Sequence, residues 1–78
     1  MKITMDRMRI GGCGRIVSLE LEGAIRRRLL DFGLIEGTSV QCVRRSPTGS
    51  PVIYLARGTM LALRTCDSRG ITVEVTTQ

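Results

Sequence analysis

Apolar and polar residues alternate over residues 15–20, which is the period of a β-strand. Val17 and Leu19 fall on one face of this predicted strand, and Ile16 and Ser18 fall on the other. A half-buried strand shows this alternation because successive side chains point to opposite faces. We therefore predict a first long strand here, entered from a glycine-rich turn at residues 11–14.

The next segment has the helical period instead. Its apolar residues recur at intervals of three and four, so we predict a helix over Gly23–Phe32 with an apolar stripe facing the core. The stripe consists of Leu21, Ile25, Leu29 and Phe32.

Gly33 is the predicted end of this helix. A glycine after the last helical residue adopts the left-handed conformation without steric penalty, and the following Leu34 can then pack back on Leu29. Asp31 opposes the helix dipole near a C-terminus. We therefore expect it to have a partner, either Arg27 or a backbone group of the next loop.

The alternation returns after Gly37 and continues to the end of the chain. It predicts strands over residues 38–45, 52–57, 60–64 and 71–76, with one helical turn within residues 66–70. The opening segment, with Met5, Met8 and Ile10, is read as a further short strand that leads into the glycine-rich turn.

Two tight turns separate the later strands. Residues 46–49 have Pro47 at the second position and Gly49 at the fourth, which suits a type I turn. Gly58 marks a second reversal. Short strands joined by tight turns tend to close into a barrel, which removes exposed edges. The predicted fold is mainly β, a small SH3-like barrel of five to six short strands with one inserted α-helix, in a single domain over residues 1–78.

Composition excludes most enzymes. The chain has no histidine, which removes the usual general base, the partner of a serine or cysteine nucleophile, and the commonest metal ligand. Three cysteines, an odd number without a Cys-x-x-Cys pair, favour reduced thiols over disulfides or a shared metal site. No stretch reaches the roughly 18 apolar residues of a membrane span. We expect a cytoplasmic, non-catalytic binding module without cofactor or metal.

The charge is basic, with 12 Lys and Arg against 7 Asp and Glu, so an acidic partner or a nucleic acid comes into question. Three consecutive arginines, residues 26–28, spread around the predicted helix, and Arg44 and Arg45 fall on opposite faces of a strand. Phe32 and Tyr54 are the only aromatics, too few for base stacking. Nucleic-acid binding is therefore the alternative and not the main prediction.

Residues 28–38, Arg-Leu-Leu-Asp-Phe-Gly-Leu-Ile-Glu-Gly-Thr, resemble the Arg-Leu-x-Asp/Glu-x-Gly-Leu-x-x-Gly-Thr signature of the FeoA family. The resemblance continues in order through the glycine-rich entry at residues 11–17, the proline-bracketed hairpin at residues 46–52 and the closing strands. The residues that carry this signature are Leu29, Asp31, Gly33, Gly37, Pro47, Gly49, Gly58 and Arg64.

The resemblance implies a bacterial accessory of ferrous iron uptake that binds the cytosolic GTP-binding region of the FeoB transporter. Any nucleotide hydrolysis would then belong to the partner. The same barrel occurs as the C-terminal domain of metal-dependent repressors, so a metal-sensing barrel is a further alternative. The chain has no room for their helix-turn-helix domain, which favours a free-standing accessory, and its oligomeric state stays open.

The helix and its following loop are the predicted contact surface for the partner. Arg27, Arg28 and Leu30 can face outward beside the core stripe, and Leu34 and Ile35 continue the apolar edge. An apolar patch rimmed by arginines suits a protein partner. The competing interpretation is that Leu30 and Ile35 only cover the end of the barrel.

Overall fold

The structure, a computed structural model, describes residues 1–77. It confirms a mainly β chain with one inserted helix, and the strands number six within that range. In chain order the elements are β1 (Lys2–Thr4), a 3-10 turn (Met5–Arg7), β2 (Cys13–Leu19), α1 (Gly23–Phe32), β3 (Ser39–Arg45), β4 (Val52–Ala56), β5 (Thr59–Leu63), α2 (Thr65–Ser68) and β6 (Ile71–Thr77).

The six strands form one antiparallel sheet in the order β1-β6-β2-β3-β4-β5. Alternate residues of the strands enclose the core, as Val52, Tyr54 and Ala56 do in β4. β1 and β5 are the two edges, and they do not pair with each other among residues 1–77. Hydrogen bonds therefore do not close the predicted barrel.

A β-bulge in β2 changes the predicted alternation. Ile16 pairs with Val73 and Ser18 pairs with Thr72, so β2 carries one extra residue at Val17. An extra residue reverses the phase of the side chains that follow it. As a result, the segment after the bulge turns Leu19 toward the core that also buries Ile16, whereas strict alternation places the two on opposite faces.

The opening segment differs from the expected strand. β1 ends at Thr4, and the chain then forms the 3-10 turn instead of continuing extended into the glycine-rich turn. Met5 and Met8 are both buried in the core. The Arg45 guanidinium donates hydrogen bonds to the carbonyls of Asp6 and Met8, both at 3.1 Å. This long-range contact holds the turn, and local sequence does not reveal it.

The tight turns lie where the sequence predicts them. The Gly49 N–H donates to the Ser46 carbonyl at 2.8 Å, which closes the turn that contains Pro47. Arg57 and Gly58 both have positive φ, 53° and 76°, and form the two-residue connection of β4 to β5. Positive φ at both central positions is the type I′ geometry, which follows the natural twist of a hairpin.

Candidate partner-binding site

Helix α1 borders residues of both β2 and β5 and buries little of its own surface. Of its ten residues only Leu29 is fully buried, while Leu21 before it and Ile25 within it pack partly against the core. Phe32 is 37% exposed, so its predicted place on the core stripe is wrong. The buried stripe ends at Leu29, and Phe32 instead lines a groove together with Leu61 of β5.

The C-terminus of α1 forms the predicted Schellman motif. Gly33 has φ 100°, its N–H donates to the Leu30 carbonyl at 3.0 Å, and the Leu34 N–H donates to the Leu29 carbonyl at 2.9 Å. These are the two hydrogen bonds that define the motif. They fix the direction in which the chain leaves the helix and thereby orient the loop that follows.

Leu34 is fully buried, so its predicted place on the contact surface is wrong. The Schellman motif turns this side chain inward beside Leu29. The loop exposes Ile35 instead, at 50%. Thr38 holds Ile35 in place, because its hydroxyl accepts a hydrogen bond from the Ile35 N–H at 3.2 Å and donates one to the Gly33 carbonyl at 3.0 Å.

Leu30 and Ile35 come together beside β2. They border a depression of about 380 Å³ that Arg26 and Glu36 also line. The Arg26 guanidinium donates to the Leu19 carbonyl at 2.7 Å, so the base of α1 is tied to β2. Arg27 borders an adjoining depression together with Leu30. We call the set Leu30, Ile35, Arg26, Arg27 and Glu36 the Leu30–Ile35 surface.

Arg28 lies on the opposite flank of α1. It borders a groove of about 540 Å³ between α1 and β5, which also contains Phe32 and Leu61. The structure thus separates Arg28 from the other predicted contact residues. We call this second feature the α1–β5 groove, and its lining residues are Ala24, Ile25, Arg28, Leu29, Phe32, Leu61, Ala62, Leu63, Arg64 and Asp67.

Sequence reasoning missed Phe32, Met60 and Leu61 as surface residues. Met60 is 56% exposed, and Leu61 is only partly buried. A signal was present, because residues 60–63 are apolar at four consecutive positions and do not alternate. A strand with apolar residues on both faces needs cover on both faces. The α1–β5 groove and the outer face of β5 lack such cover within the described chain.

Two of the signature residues are charged and lie near α1. The Asp31 carboxylate is exposed and makes no hydrogen bond or ion pair within residues 1–77, so neither of the partners expected for it, Arg27 or a backbone group of the next loop, is found. Arg64 pairs with Asp67 at 3.4 Å, in the first turn of α2. The glycines of the signature, Gly33, Gly37, Gly49 and Gly58, all have positive φ. Of the remaining two, Leu29 is buried and Pro47 is exposed.

The three thiols differ in solvent exposure. Cys42 is buried, Cys13 is half-buried and Cys66 is exposed, and all three are free. Burial raises the pKa of the Cys42 thiol, so the thiolate that a metal would need is disfavoured there. Across the described range, no three His, Cys, Asp or Glu side chains are close enough to hold a metal ion together.

The family model for the FeoA domain matches residues 3–75. The chain belongs to the FeoA family. One curated relative is the Fe(2+) transport protein A/Fe(2+) transporter FeoB fusion protein of Porphyromonas gingivalis, which is 30% identical to this chain over 71 residues. The match covers 91% of this chain but 8% of that relative, so the chain corresponds to a small part of the fusion protein.

Solved FeoA structures have the same fold. The Chlorobium tepidum FeoA protein superposes with a TM-score of 0.91 at 31% identity, covering 96% of this chain and 71% of that one. FeoA of Stenotrophomonas maltophilia, solved with zinc and described as a prokaryotic SH3 domain protein, superposes at 0.80 with 26% identity, covering 92% and 89%. The predicted SH3-like architecture is thereby confirmed, with the qualification that the sheet is open.

The name of the Porphyromonas gingivalis relative joins an Fe(2+) transport protein A and the Fe(2+) transporter FeoB in one fused protein. Among residues 1–77 no helix is both long and apolar enough to cross a bilayer.

Proposed function

We propose that this chain is a non-catalytic accessory of ferrous iron uptake that binds the cytosolic GTP-binding region of a FeoB transporter in the cytoplasm. The observation that supports this most directly is the relative in which an FeoA protein and FeoB share one polypeptide. Fusion raises the effective concentration of one module at the other, which benefits proteins that act together. The role we propose is regulatory or scaffolding, with nucleotide chemistry left to the partner.

The Leu30–Ile35 surface is the contact site that we propose. Leu30 is 37% exposed and Ile35 is half exposed, and both lie on backbone held rigidly by the Schellman motif. Arg27 beside them makes no ion pair within the described chain, so it is available to an acidic group of the partner. An exposed apolar centre with a charged rim is typical of a protein interface.

Iron uptake in cells tests the function. Deleting the gene should impair ferrous iron uptake under anaerobic conditions, and a plasmid copy should restore it. The Ile35→Asp variant should fail to restore uptake, because a carboxylate in the apolar centre would be desolvated on binding. Ile10→Asp is the matched control, since Ile10 is also an exposed isoleucine, at 63%, on a different loop. Normal uptake without the gene would contradict the proposal.

The nucleic-acid alternative rests on the net charge of +5. The ten exposed arginines are distributed over the 3-10 turn, β2, α1, β3 and the connecting loops, and are not gathered on one element. Tyr54 is buried and cannot stack on a base. A mobility-shift assay at low salt should therefore show no retardation of DNA or RNA, and binding that weakens steeply with salt would favour the alternative.

A further inference from the structure

The outer edge of β5 is an unprotected strand edge. Edge strands usually carry charges, prolines or bulges, or are very short, because their free N–H and C=O groups can pair with another chain. β1, the other edge, is three residues long and contains Lys2. β5 is five residues long, from Thr59 to Leu63, and its sequence Thr-Met-Leu-Ala-Leu has none of these features.

The register of β5 shows which backbone groups are free. Residues that flank a two-residue turn exchange both hydrogen bonds, and the bonded positions then alternate along the hairpin. Thr59, Leu61 and Leu63 therefore bond to β4, whereas Met60 and Ala62 direct their N–H and C=O groups to the open edge. These outward groups have no partner among residues 1–77.

Apolar surface lies beside this edge. The α1–β5 groove runs between the helix and the strand, and Phe32 and Leu61 contribute to it. Met60, on the other face of β5, is more than half exposed. A strand added at this edge would place alternate side chains beside the two faces of β5. The exposed apolar residues of β5 would then be covered on both faces.

The charges at the ends of β5 select the kind of partner. Arg57 immediately precedes the turn glycine and Arg64 immediately follows the strand, while Arg28 borders the groove. The only acid among the groove residues, Asp67, contacts Nε of Arg64 at 3.4 Å, and the Arg64 side chain stays 75% exposed, so its other guanidinium nitrogens can meet a second carboxylate. This arrangement of cations complements a segment with carboxylates at both ends.

A second copy of the chain fits this edge poorly. Antiparallel pairing of two β5 strands about Leu61 would bring Arg64 of one copy opposite Gly58 of the other, next to Arg57. Two arginines at such a short distance repel each other, and each copy carries a net charge of +5. A proline-rich ligand also fits poorly, because such ligands need aromatic ridges and Phe32 is the one accessible aromatic side chain.

We propose that the free edge of β5 binds an extended acidic segment of a partner protein as a seventh strand. The segment would pair with the backbone of Met60 and Ala62 over about 17 Å, the length of five extended residues. Its carboxylates would meet Arg57 and Arg64. This edge shares no residue with the Leu30–Ile35 surface, so the inference stands independently of the proposed function.

A proline substitution at the edge gives a direct test. The Ala62 N–H faces outward, so Ala62→Pro removes a donor for the added strand and keeps the bonds to β4. Ala62→Thr keeps the donor and is the matched control. The probe is a fluorescent peptide of about nine residues with alternating Val and Thr between glutamate pairs. We expect saturable binding to the wild-type chain and to Ala62→Thr, and weakening on the order of tenfold by Ala62→Pro, with thermal unfolding confirming that each variant is folded.

Two controls test the mode of binding and the charges. The same peptide with N-methylated amides on the pairing side should not bind, and a peptide with lysine in place of glutamate should bind more weakly. Arg64→Glu should weaken binding more than Arg44→Glu, which makes the same change in net charge on β3. No binding of the glutamate peptide, or equal binding by Ala62→Pro, would overturn the proposal. A dimer in ultracentrifugation that Ala62→Pro abolishes would also overturn it, because the edge would then belong to a second copy.

Discussion

Replacing Gly33 by alanine should destabilise the end of α1 and with it the loop that presents Ile35. Two separate features of Gly33 resist a side chain. Its φ of 100° lies in the left-handed region. A Cβ built at this position would lie 2.7 Å from both Cδ and Nε of Arg57, which crosses over the glycine from the β4–β5 turn.

The expected loss of stability is the sum of three contributions. Alanine in a left-handed conformation costs roughly 1–2 kcal/mol. Moving the Arg57 side chain off its present rotamer costs about 0.5–1.5 kcal/mol, since the flexible side chain can yield. Alanine also lowers the conformational entropy of the unfolded chain, which stabilises the folded state by about 0.4–1 kcal/mol. The net loss is about 0.5–3 kcal/mol, out of a total of roughly 4–12 kcal/mol for a chain of this length.

Urea denaturation of four proteins measures the two costs separately: wild type, Gly33→Ala, Arg57→Ala and the double variant. In the Arg57→Ala background the three atoms nearest to the added Cβ at residue 33 are removed, so the backbone cost should dominate what remains. We expect Gly33→Ala to cost about 0.5–1.5 kcal/mol less in that background. A free energy of unfolding unchanged by Gly33→Ala, or an equal loss in both backgrounds, would refute this explanation of the helix end.

Further predictions concern Tyr54, two of the cysteines and Gly14. The hydroxyl of Tyr54 donates to the Met5 carbonyl at 3.2 Å, so Tyr54→Phe should cost about 1–3 kcal/mol in urea denaturation. Burial raises the pKa of Tyr54 in the folded protein, so the tyrosine of the unfolded chain ionises at a lower pH. The free energy of unfolding of the wild type should therefore fall above about pH 10. The Tyr54→Phe variant should lack this contribution to the fall. Cys66 should react with a thiol reagent in the folded protein and Cys42 only after unfolding, as peptide mapping would show. Gly14→Ala should lower the melting temperature, because its Cβ would lie 2.9 Å from the Glu74 carbonyl oxygen, and an unchanged melting temperature would contradict that close approach.

Local interactions explain what could be predicted from the sequence. The bounds of α1 and its Schellman end depend on helical spacing and on Gly33, all within a few residues. The hairpin turns depend on Pro47, Gly49 and Gly58 in the same way. Strands β3, β4 and β5 begin and end within one residue of their predicted limits, because these turns delimit them.

Tertiary contacts explain the errors. The bulge at Val17 exists only through the pairing of β2 with β6, and Phe32 lies in the groove between α1 and β5, a placement that local sequence does not reveal. The sequence predicts two roles for Leu34, packing on Leu29 and a place on the contact surface, and its full burial is compatible only with the first. Arg27 and Arg28 diverge because consecutive helical residues do not share a face.

The proposed binding is decided by calorimetric titration of the cytosolic GTP-binding region of FeoB with this chain. We expect saturable binding by the wild type, equal binding by Ile10→Asp, and at least tenfold weaker binding by Ile35→Asp, corresponding to about 1.4 kcal/mol. Absence of heat with the wild-type chain in every nucleotide state of the partner, or equal affinity of Ile35→Asp and Ile10→Asp, would contradict it.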